Sequence, residues 1–193
     1  MAHDGSPGAR LVGGRVLALA RGDITSFPAD VIGNAANEPL AGGGGVDGAI
    51  HRVGGPSIMA DLEARYGTNR RCPTGSAVVS TAGRLPARWV VHAVGPVWRG
   101  GGHGEAALLE SAYRSTLRLA DELGASSLDL PAISCGAYGY PLDEAAAIAV
   151  ATVASHLARD TGLERVTFVL YSDDTHDAFV RAVAALGPGP RGD

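Results

Sequence analysis

A group of polar residues around a glycine run is the part of the sequence best suited to chemistry. The segment NAANEPLAGGGGVDGAIH places Asn34 and Asn37 before four consecutive glycines, and Asp47 and His51 after them. Glycine allows close approach to bare backbone N–H groups, and with a helix following, these groups can surround an anion such as a diphosphate. Asp47 and His51 are four residues apart, so on a helix they share one face. The segment predicts an anion-binding loop flanked by a carboxylate and an imidazole.

Two familiar nucleotide-binding loops do not fit this glycine run. A P-loop requires GxxxxGK[ST], and no lysine follows the glycines. A dinucleotide fingerprint, GxGxxG, should follow the first strand, whereas this run is contiguous and follows a predicted second strand. From the residues alone, a flexible surface loop stays open, with Asp47 as a helix N-cap and His51 as a structural residue.

The bulk composition predicts one soluble domain. The chain has 193 residues, of which 46% are hydrophobic, and this suits a single compact core. A net charge of −4 argues against a broad basic surface for nucleic acid but leaves room for a single nucleotide. Two cysteines give no disulfide framework, and the six histidines show no paired metal-ligand spacing, so we expect no metal site. Without a signal-like start or a long apolar run, we expect a cytoplasmic protein that contacts no membrane.

The remaining elements predict an α/β domain over residues 15–186, with flexible tails at 1–14 and 187–193. Apolar segments predict strands at residues 16–19, 31–34, 74–81, 89–94, 128–133 and 166–170. Helices are predicted at residues 47–53, 56–66, 105–123, 144–159 and 174–186. Asp143 is the expected N-cap of the fourth helix. This alternation predicts a partly parallel sheet covered by helices on both faces.

Ligands in such sheets bind outside the carboxyl ends of the strands. Three polar segments follow predicted strands: the glycine run, the loop SCGAYG at residues 134–139, and Tyr171. We therefore expect these three segments to line one crevice.

Several separate motifs resemble those of the macrodomains, most closely the MacroD-type hydrolase branch of that family. The motifs are GDIT (22–25), NAAN (34–37), GGGGVDGAIH (42–51), CPTG (72–75), VVHAVGP (90–96) and GAYGYP (136–141). The resemblance covers about residues 15–186 and implies a three-layer α/β/α macrodomain with a central mixed sheet that binds ADP-ribose. It also implies removal of mono-ADP-ribose from acidic side chains and deacetylation of O-acetyl-ADP-ribose.

The resemblance assigns the adenine end of the ligand to residues that follow the first and the last predicted strands. Asp23 resembles the carboxylate that accepts the adenine amino group, with the Ile24 backbone beside it, and a carboxylate suits an N–H₂ donor. Tyr171 matches an aromatic position that stacks on adenine. From the residues alone, a turn role is favoured for Asp23, and an edge tyrosine stays open for Tyr171.

The resemblance assigns the diphosphate and the distal ribose to the two loops. Backbone N–H groups for the diphosphate side come from Gly43, Gly44, Gly45 and Val46. The second loop closes over the diphosphate and distal ribose through Ser134, Gly136, Ala137 and Tyr138. Asn37 is expected to hold the distal ribose, whereas Asn34 is expected to brace the loop.

Asp47 is the expected catalytic residue, assisted by Asn37 and by His51. A carboxylate can orient a water or a ribose hydroxyl for ester hydrolysis, and His51 would orient Asp47. The substrate's own phosphate is an alternative base in this family, so the proton acceptor stays open.

Two residues depart from the family pattern. Gly33 precedes NAAN where valine is common, and it is expected to loosen the strand end because glycine packs nothing there. Cys135 stands where threonine is common, and a thiol nucleophile is a minor alternative to Asp47.

The leading hypothesis is a monomeric hydrolase of ADP-ribosyl esters that uses no metal and no cofactor. Its expected partners are ADP-ribose and ADP-ribosylated proteins, with ADP-ribosylated nucleic-acid ends as a further possibility. The alternatives are a reader module that binds ADP-ribose without turnover, and an enzyme acting on another nucleotide-linked phosphate.

Overall fold

The computed structural model describes residues 9–187, and a mixed sheet forms the centre of this region. The strands of the region, in chain order, are β1 (Arg10–Val12), β2 (Arg15–Arg21), β3 (Val31–Ala36), β4 (Ala77–Thr81), β5 (Trp89–Val94), β6 (Ser127–Leu130) and β7 (Arg165–Leu170). They form one sheet in the order β1-β2-β7-β6-β3-β5-β4. The five central strands are parallel, and the edge strands β1 and β4 are antiparallel to their neighbours. The carboxyl ends of β2, β7, β6, β3 and β5 therefore lie at one edge.

Helices cover both faces of the sheet. They are α1 (Gly45–Gly54), α2 (Pro56–Tyr66), α3 (Glu105–Glu122), α4 (Leu142–Leu157) and α5 (Asp173–Ala185), and a short 3₁₀ turn spans Ile24–Ser26. One buried core joins α3, α4 and α5 to the sheet, with Leu109, Val153 and Phe179 among its members. A second core joins α1 and α2 to the opposite face through Ile50 and Ile58. The predicted α/β/α class with a mixed sheet is confirmed.

The alternation of side chains along the strands decides which residues face α1. Successive strand residues point to opposite faces. Ile32 and Ala36 of β3 belong to the core beneath α1 and α2, so Asn34 between them points to the same face. Val90 and Val94 place His92 on that face by the same rule.

The first strand lies inside the segment predicted as an N-terminal tail. Residues 10–12 pair with residues 15–17 of β2 as an edge strand. The Arg10 guanidinium donates to the carbonyl oxygens of Val183, at 3.2 Å, and Leu186, at 2.6 Å, at the end of α5. The prediction of a flexible tail is therefore wrong for residues 10–12. Three residues are too few to show a strand pattern, and the hydrogen bonds of Arg10 form only in the folded protein. The rest of both predicted tails falls largely on residues 1–8 and 188–193, which lie outside the described residues.

The boundaries of several helices also differ from the prediction, and the starts of α4 and α5 have identifiable causes. Helix α4 begins at Leu142 after Pro141, and Asp143 lies inside its first turn instead of capping it. Asp143 accepts from the Arg181 guanidinium at 2.7 Å, an ion pair with α5. Helix α5 begins at Asp173, one residue early, because the Ser172 hydroxyl accepts from the Thr175 N–H at 3.3 Å and caps it.

Gly33 has a packing role that the sequence did not indicate. It is buried, and a Cβ placed on it would lie 2.9 Å from Cδ2 of Leu130 and 3.3 Å from Cδ of Pro131. The neighbouring strand therefore already fills the space of the missing side chain. The strand end is packed at this point, contrary to the expectation that glycine would loosen it.

None of the helices in residues 9–187 has both the length and the hydropathy to cross a bilayer.

Candidate active site

A cavity of about 560 Å³ opens at the sheet edge where the parallel strands end. The 3₁₀ turn after β2, the start of α1, the loop after β6 and the end of β7 all contribute to its walls. The sequence-predicted residues that line it are Asp23, Ile24, Gly45, Val46, Gly136 and Tyr171. Segments separated by more than a hundred residues thus meet in one cleft, because their parallel strands end together.

Asp23 and Tyr171 stand at one end of this cleft. Asp23 caps the 3₁₀ turn, and its Oδ1 accepts from the Thr25 N–H at 3.0 Å and the Thr25 hydroxyl at 2.7 Å. Both bonds use Oδ1, which leaves Oδ2 available to accept from another donor. Tyr171 is 82% exposed, so its ring presents a wide flat face at the cleft mouth. The turn role of Asp23 and its place in the cleft are therefore compatible.

The glycine run forms the N-terminal cap of α1. Gly44 is the N-cap and Gly45, with φ of 57°, is the first helical residue. The first-turn N–H groups have no partner within the helix, and the helix dipole adds partial positive charge there. A Cβ on Gly48 would lie 2.5 Å from the Gly43 carbonyl oxygen, so the helix packs directly on the loop. This end of α1 is suited to an anion at the cleft.

The Asn37 side chain holds the glycine run in place. Its Nδ2 donates to the Gly42 carbonyl at 2.8 Å, and its Oδ1 accepts from the Ala41 N–H at 3.1 Å. Loop bracing was the role expected of Asn34, and the structure places it on Asn37. A ribose contact by Asn37 stays a prediction.

Asp47 is buried in the first turn of α1, two residues beyond its first residue. Its Oδ1 accepts from Asn34 Nδ2 at 2.7 Å and lies 3.4 Å from His51 Nε2. The expected adjacency of Asp47 and His51 is present in the structure. Asp47 is not the N-cap, because Gly44 occupies that position.

Behind Asp47, a chain of buried polar side chains crosses three strands. Asn34 Nδ2 lies 3.0 Å from His92 Nδ1, and His92 Nε2 lies 2.8 Å from the Ser80 hydroxyl. All three residues are essentially inaccessible to solvent. Burial, with a smaller contribution from His51, lowers the pKa of His92 from 6.5 to about 3, so the ring is neutral.

Asp47, His51 and His92 place potential metal-ligand atoms within 4.8 Å of one another. Both ring nitrogens of His92, however, already lie at hydrogen-bond distance from Asn34 and Ser80. Only Asp47 and His51 then offer ligand atoms, fewer than a protein zinc site uses. Metal independence stays a prediction.

The second loop packs at Ser134 against Gly95, the residue that follows β5. Ser134 has a left-handed backbone with φ of 66°, which is unusual for serine. Its carbonyl accepts from the Tyr140 N–H at 3.0 Å, and its buried hydroxyl finds no partner within residues 9–187. Gly95 makes room for it, since a Cβ there would lie 2.2 Å from the Ser134 Oγ. This geometry leaves Gly136 and Ala137 exposed above the cleft.

Cys135 lines the cleft but is a poor nucleophile. Burial raises the pKa of its thiol to about 12, and the Sγ points to the Ile133 carbonyl at 3.4 Å. The thiolate is the reactive form of cysteine. This environment argues against the thiol alternative.

Other predicted residues lie around the cleft without lining it. These are Gly43, Gly44, Asp47, His51, Ser134 and Ala137, whereas Asn37 and Tyr138 line a second cavity of about 460 Å³. Sequence reasoning missed Arg52 in the first cleft, and Arg99 and His103 in the second cavity. Gly45, Ala49 and Arg52 follow helical spacing on one face of α1, a signal that could have identified Arg52.

Comparison with known proteins agrees with this architecture. The Macro domain family model matches residues 33–149. A Citrobacter koseri protein named O-acetyl-ADP-ribose deacetylase is 51% identical over 169 residues, covering 88% of this chain and 96% of that protein. A Streptomyces griseus macro domain-containing protein is 54% identical, and the match covers 88% of this chain and 95% of that protein. A variant of the Oceanobacillus iheyensis macrodomain, solved with ADPR (ADP-ribose), is 35% identical and superposes with a TM-score of 0.85. This match covers 91% of this chain and 96% of that protein. The chain therefore belongs to the macrodomain family.

Proposed function

We propose that this macrodomain binds ADP-ribose in the cleft at the sheet edge and hydrolyses esters carried on its distal ribose. The observation that carries the proposal is the buried Asp47 carboxylate, held by Asn34 at the N-terminal end of α1 beside His51. The proposed substrates are O-acetyl-ADP-ribose and mono-ADP-ribose linked to aspartate or glutamate. The name of the Citrobacter koseri relative supports the first substrate.

In this proposal, the parts of ADP-ribose are assigned along the cleft in order. At one end, Tyr171 offers an aromatic face and Asp23 a carboxylate oxygen for the adenine amino group. In the middle, the α1 N-terminus offers backbone N–H groups to the diphosphate. The distal ribose then lies toward Asn37 and Asp47. A solved relative with ADPR supports this ligand.

The proposed reaction is addition of water to the acyl carbonyl of the ester. A bond forms between the water oxygen and the carbonyl carbon, and the bond from that carbon to the ribose oxygen breaks. The ribose oxygen leaves as a hydroxyl, and acetate or the side-chain carboxylate is the second product. Asp47 orients the water or a neighbouring ribose hydroxyl, and either Asp47 or a substrate phosphate accepts a proton from the water and returns it to the departing ribose oxygen. The second proton of the water leaves to solvent as the carboxylate product forms.

The acyl group of a protein ester needs space beyond the distal ribose. The second cavity, of about 460 Å³, shares Asn37 and Tyr138 with the region assigned to that ribose. We therefore propose that an ADP-ribosylated side chain enters from this cavity. Acetyl, a smaller group, needs none of this space, so both esters can share one Asp47 site.

The test compares hydrolysis by the wild type and two variants. O-acetyl-ADP-ribose and a protein mono-ADP-ribosylated on glutamate are incubated with the wild type, Asp47→Ala and Asp160→Ala, and released product is measured by chromatography. Asp160 is an exposed residue in the connection that leads into β7, so its variant controls for loss of one carboxylate. We expect turnover by the wild type and Asp160→Ala, and a loss of at least about 100-fold in Asp47→Ala.

Two outcomes would overturn parts of this assignment. Tight ADP-ribose binding by calorimetry without turnover of either ester would identify a reader module. Full activity of Asp47→Ala would remove Asp47 from its role. Competition by ADP-ribose but not by AMP would exclude an enzyme that recognises only the adenosine monophosphate part.

A further inference from the structure

We propose that His92, acting through Asn34, is a positioning residue that fixes the orientation of the Asp47 carboxylate. This inference rests on the proposed catalytic role of Asp47. The chain of contacts runs from Ser80 to His92, from His92 to Asn34, and from Asn34 to Asp47. Asn34 and His92 lie directly opposite each other in the parallel pairing of β3 and β5, so the sheet register itself brings them together.

The direction of the hydrogen bonds is determined from the Ser80 end. The Ser80 hydroxyl donates its single hydrogen to the Thr81 carbonyl at 2.9 Å. With that hydrogen used, we infer that the hydroxyl accepts from His92 Nε2, so that this nitrogen carries the ring proton. A neutral ring protonated at Nε2 has a lone pair on Nδ1. The Asn34 amide consequently turns its NH₂ group, and not its oxygen, toward His92.

The Asp47 end requires the same direction. The Asn34 atom that faces His92 Nδ1 at 3.0 Å is also the atom 2.7 Å from Asp47 Oδ1. An amide oxygen at this position would face a carboxylate oxygen, with repulsion between two acceptors. The NH₂ group has two hydrogens and can donate one to each neighbour. Both ends therefore select one rotamer of the Asn34 amide.

Burial makes this selection strict. Asn34 is 0% and His92 1% exposed, so water does not compete for their polar atoms. The Asn34 Oδ1 has no hydrogen-bond partner within residues 9–187, so both contacts of this amide, to Asp47 and to His92, are made by its NH₂ group. A hydrocarbon at position 92 would remove the acceptor that holds this orientation. Asn34 would then be free to rotate, and Asp47 would lose a fixed donor while keeping its contact with His51.

The first experiment measures the tautomer of His92 in the wild-type protein. Nitrogen-15 NMR of the histidine side chains distinguishes a protonated Nε2 from a protonated Nδ1. The signal of His92 is identified as the one that is absent from the spectrum of His92→Asn. We expect this signal to show a neutral ring with its proton on Nε2. A proton on Nδ1, or a charged ring at pH 7, would overturn the proposal whatever the activity of the protein.

The second experiment uses a pair of variants of similar size. In His92→Asn, the amide oxygen takes the place of Nδ1 and still accepts from Asn34, whereas His92→Leu has no acceptor. Both variants lose the Ser80 contact. With O-acetyl-ADP-ribose, we expect kcat to fall at least about tenfold in His92→Leu and to stay within about threefold of wild type in His92→Asn. KM and the ADP-ribose Kd should change little in either variant.

Thr116→Val controls for loss of stability alone. Thr116 is a buried residue of α3 whose hydroxyl donates to the Ala112 carbonyl at 2.9 Å, on the other face of the sheet. It should lower Tm without lowering kcat. Equal kcat in His92→Leu and His92→Asn, with folding confirmed by circular dichroism, would overturn the proposal. Absence of turnover in the wild type would instead count against the proposed function, and the tautomer measurement would then decide the inference.

Discussion

Replacing Asp129 with asparagine should change how the stability of this macrodomain depends on pH. Asp129 lies in the middle strand β6, next to Ile32 of β3 and Thr167 of β7, and is only 5% exposed. Burial raises the pKa of its carboxyl from 3.8 to about 6, although a hydrogen bond from Thr167 and the charge of Arg165 oppose the rise. The folded protein therefore binds this proton more tightly than the unfolded chain does.

The sign of the effect follows from linkage between proton binding and folding. A raised carboxyl pKa contributes stability that is fully present below about pH 4 and is lost as the pH rises through about 6. With about 1.36 kcal/mol per pKa unit, the gap between 3.8 and about 6 corresponds to roughly 3 kcal/mol. Asparagine resembles the protonated carboxyl and does not titrate. Asp129→Asn should therefore equal the wild type near pH 4 and exceed its stability by up to that amount above pH 7.

Urea denaturation at several pH values between 4 and 8, followed by tryptophan fluorescence, measures this difference. The free energies of unfolding of variant and wild type are subtracted at each pH, so titration of distant groups such as His92 cancels. Asp160→Asn serves as the control for removal of one surface charge. A difference between Asp129→Asn and the wild type that does not change with pH would refute the reasoning.

Three further outcomes are expected. Tyr171→Ala should weaken ADP-ribose binding, measured by calorimetry, about tenfold, because stacking on adenine is worth about 1 kcal/mol or more. Tyr171→Phe should bind ADP-ribose like the wild type, and neither variant should lower Tm. Gly33→Val should lower the free energy of unfolding in urea by about 1–3 kcal/mol, because valine would overpack against Leu130. In a protein that already carries Leu130→Ala, the same Gly33→Val change should lower the free energy of unfolding by less. Cys135→Ser should keep its ester hydrolysis within about threefold of wild type, because the thiol is neutral at a pKa of about 12; a loss of about 100-fold would restore the thiol nucleophile.

The regular elements were largely predictable because they depend on local patterns. The long amphipathic segment after Glu105 and the β-rich segment from Trp89 formed the predicted helix and strand, with small changes at the helix end. Strand β1 was missed because its three residues contain no periodic signal. Its formation depends on pairing with β2 and on the contact of Arg10 with the end of α5.

For the candidate site, the sequence by itself determined what is close along the chain. The glycine run before a helix, and Asp47 one turn before His51, follow from local spacing. The alternation of strands and helices predicted that the glycine run, the loop at residues 134–139 and Tyr171 would line one crevice. Only the tertiary structure decided which side chain supports Asp47. Asn34 is 13 residues from Asp47 and 58 from His92, and the contact requires the β3–β5 register and α1 packed on the same face of the sheet. Hydrogen-bond direction in a buried network depends on every neighbour at once, and no local pattern of residues contains that information.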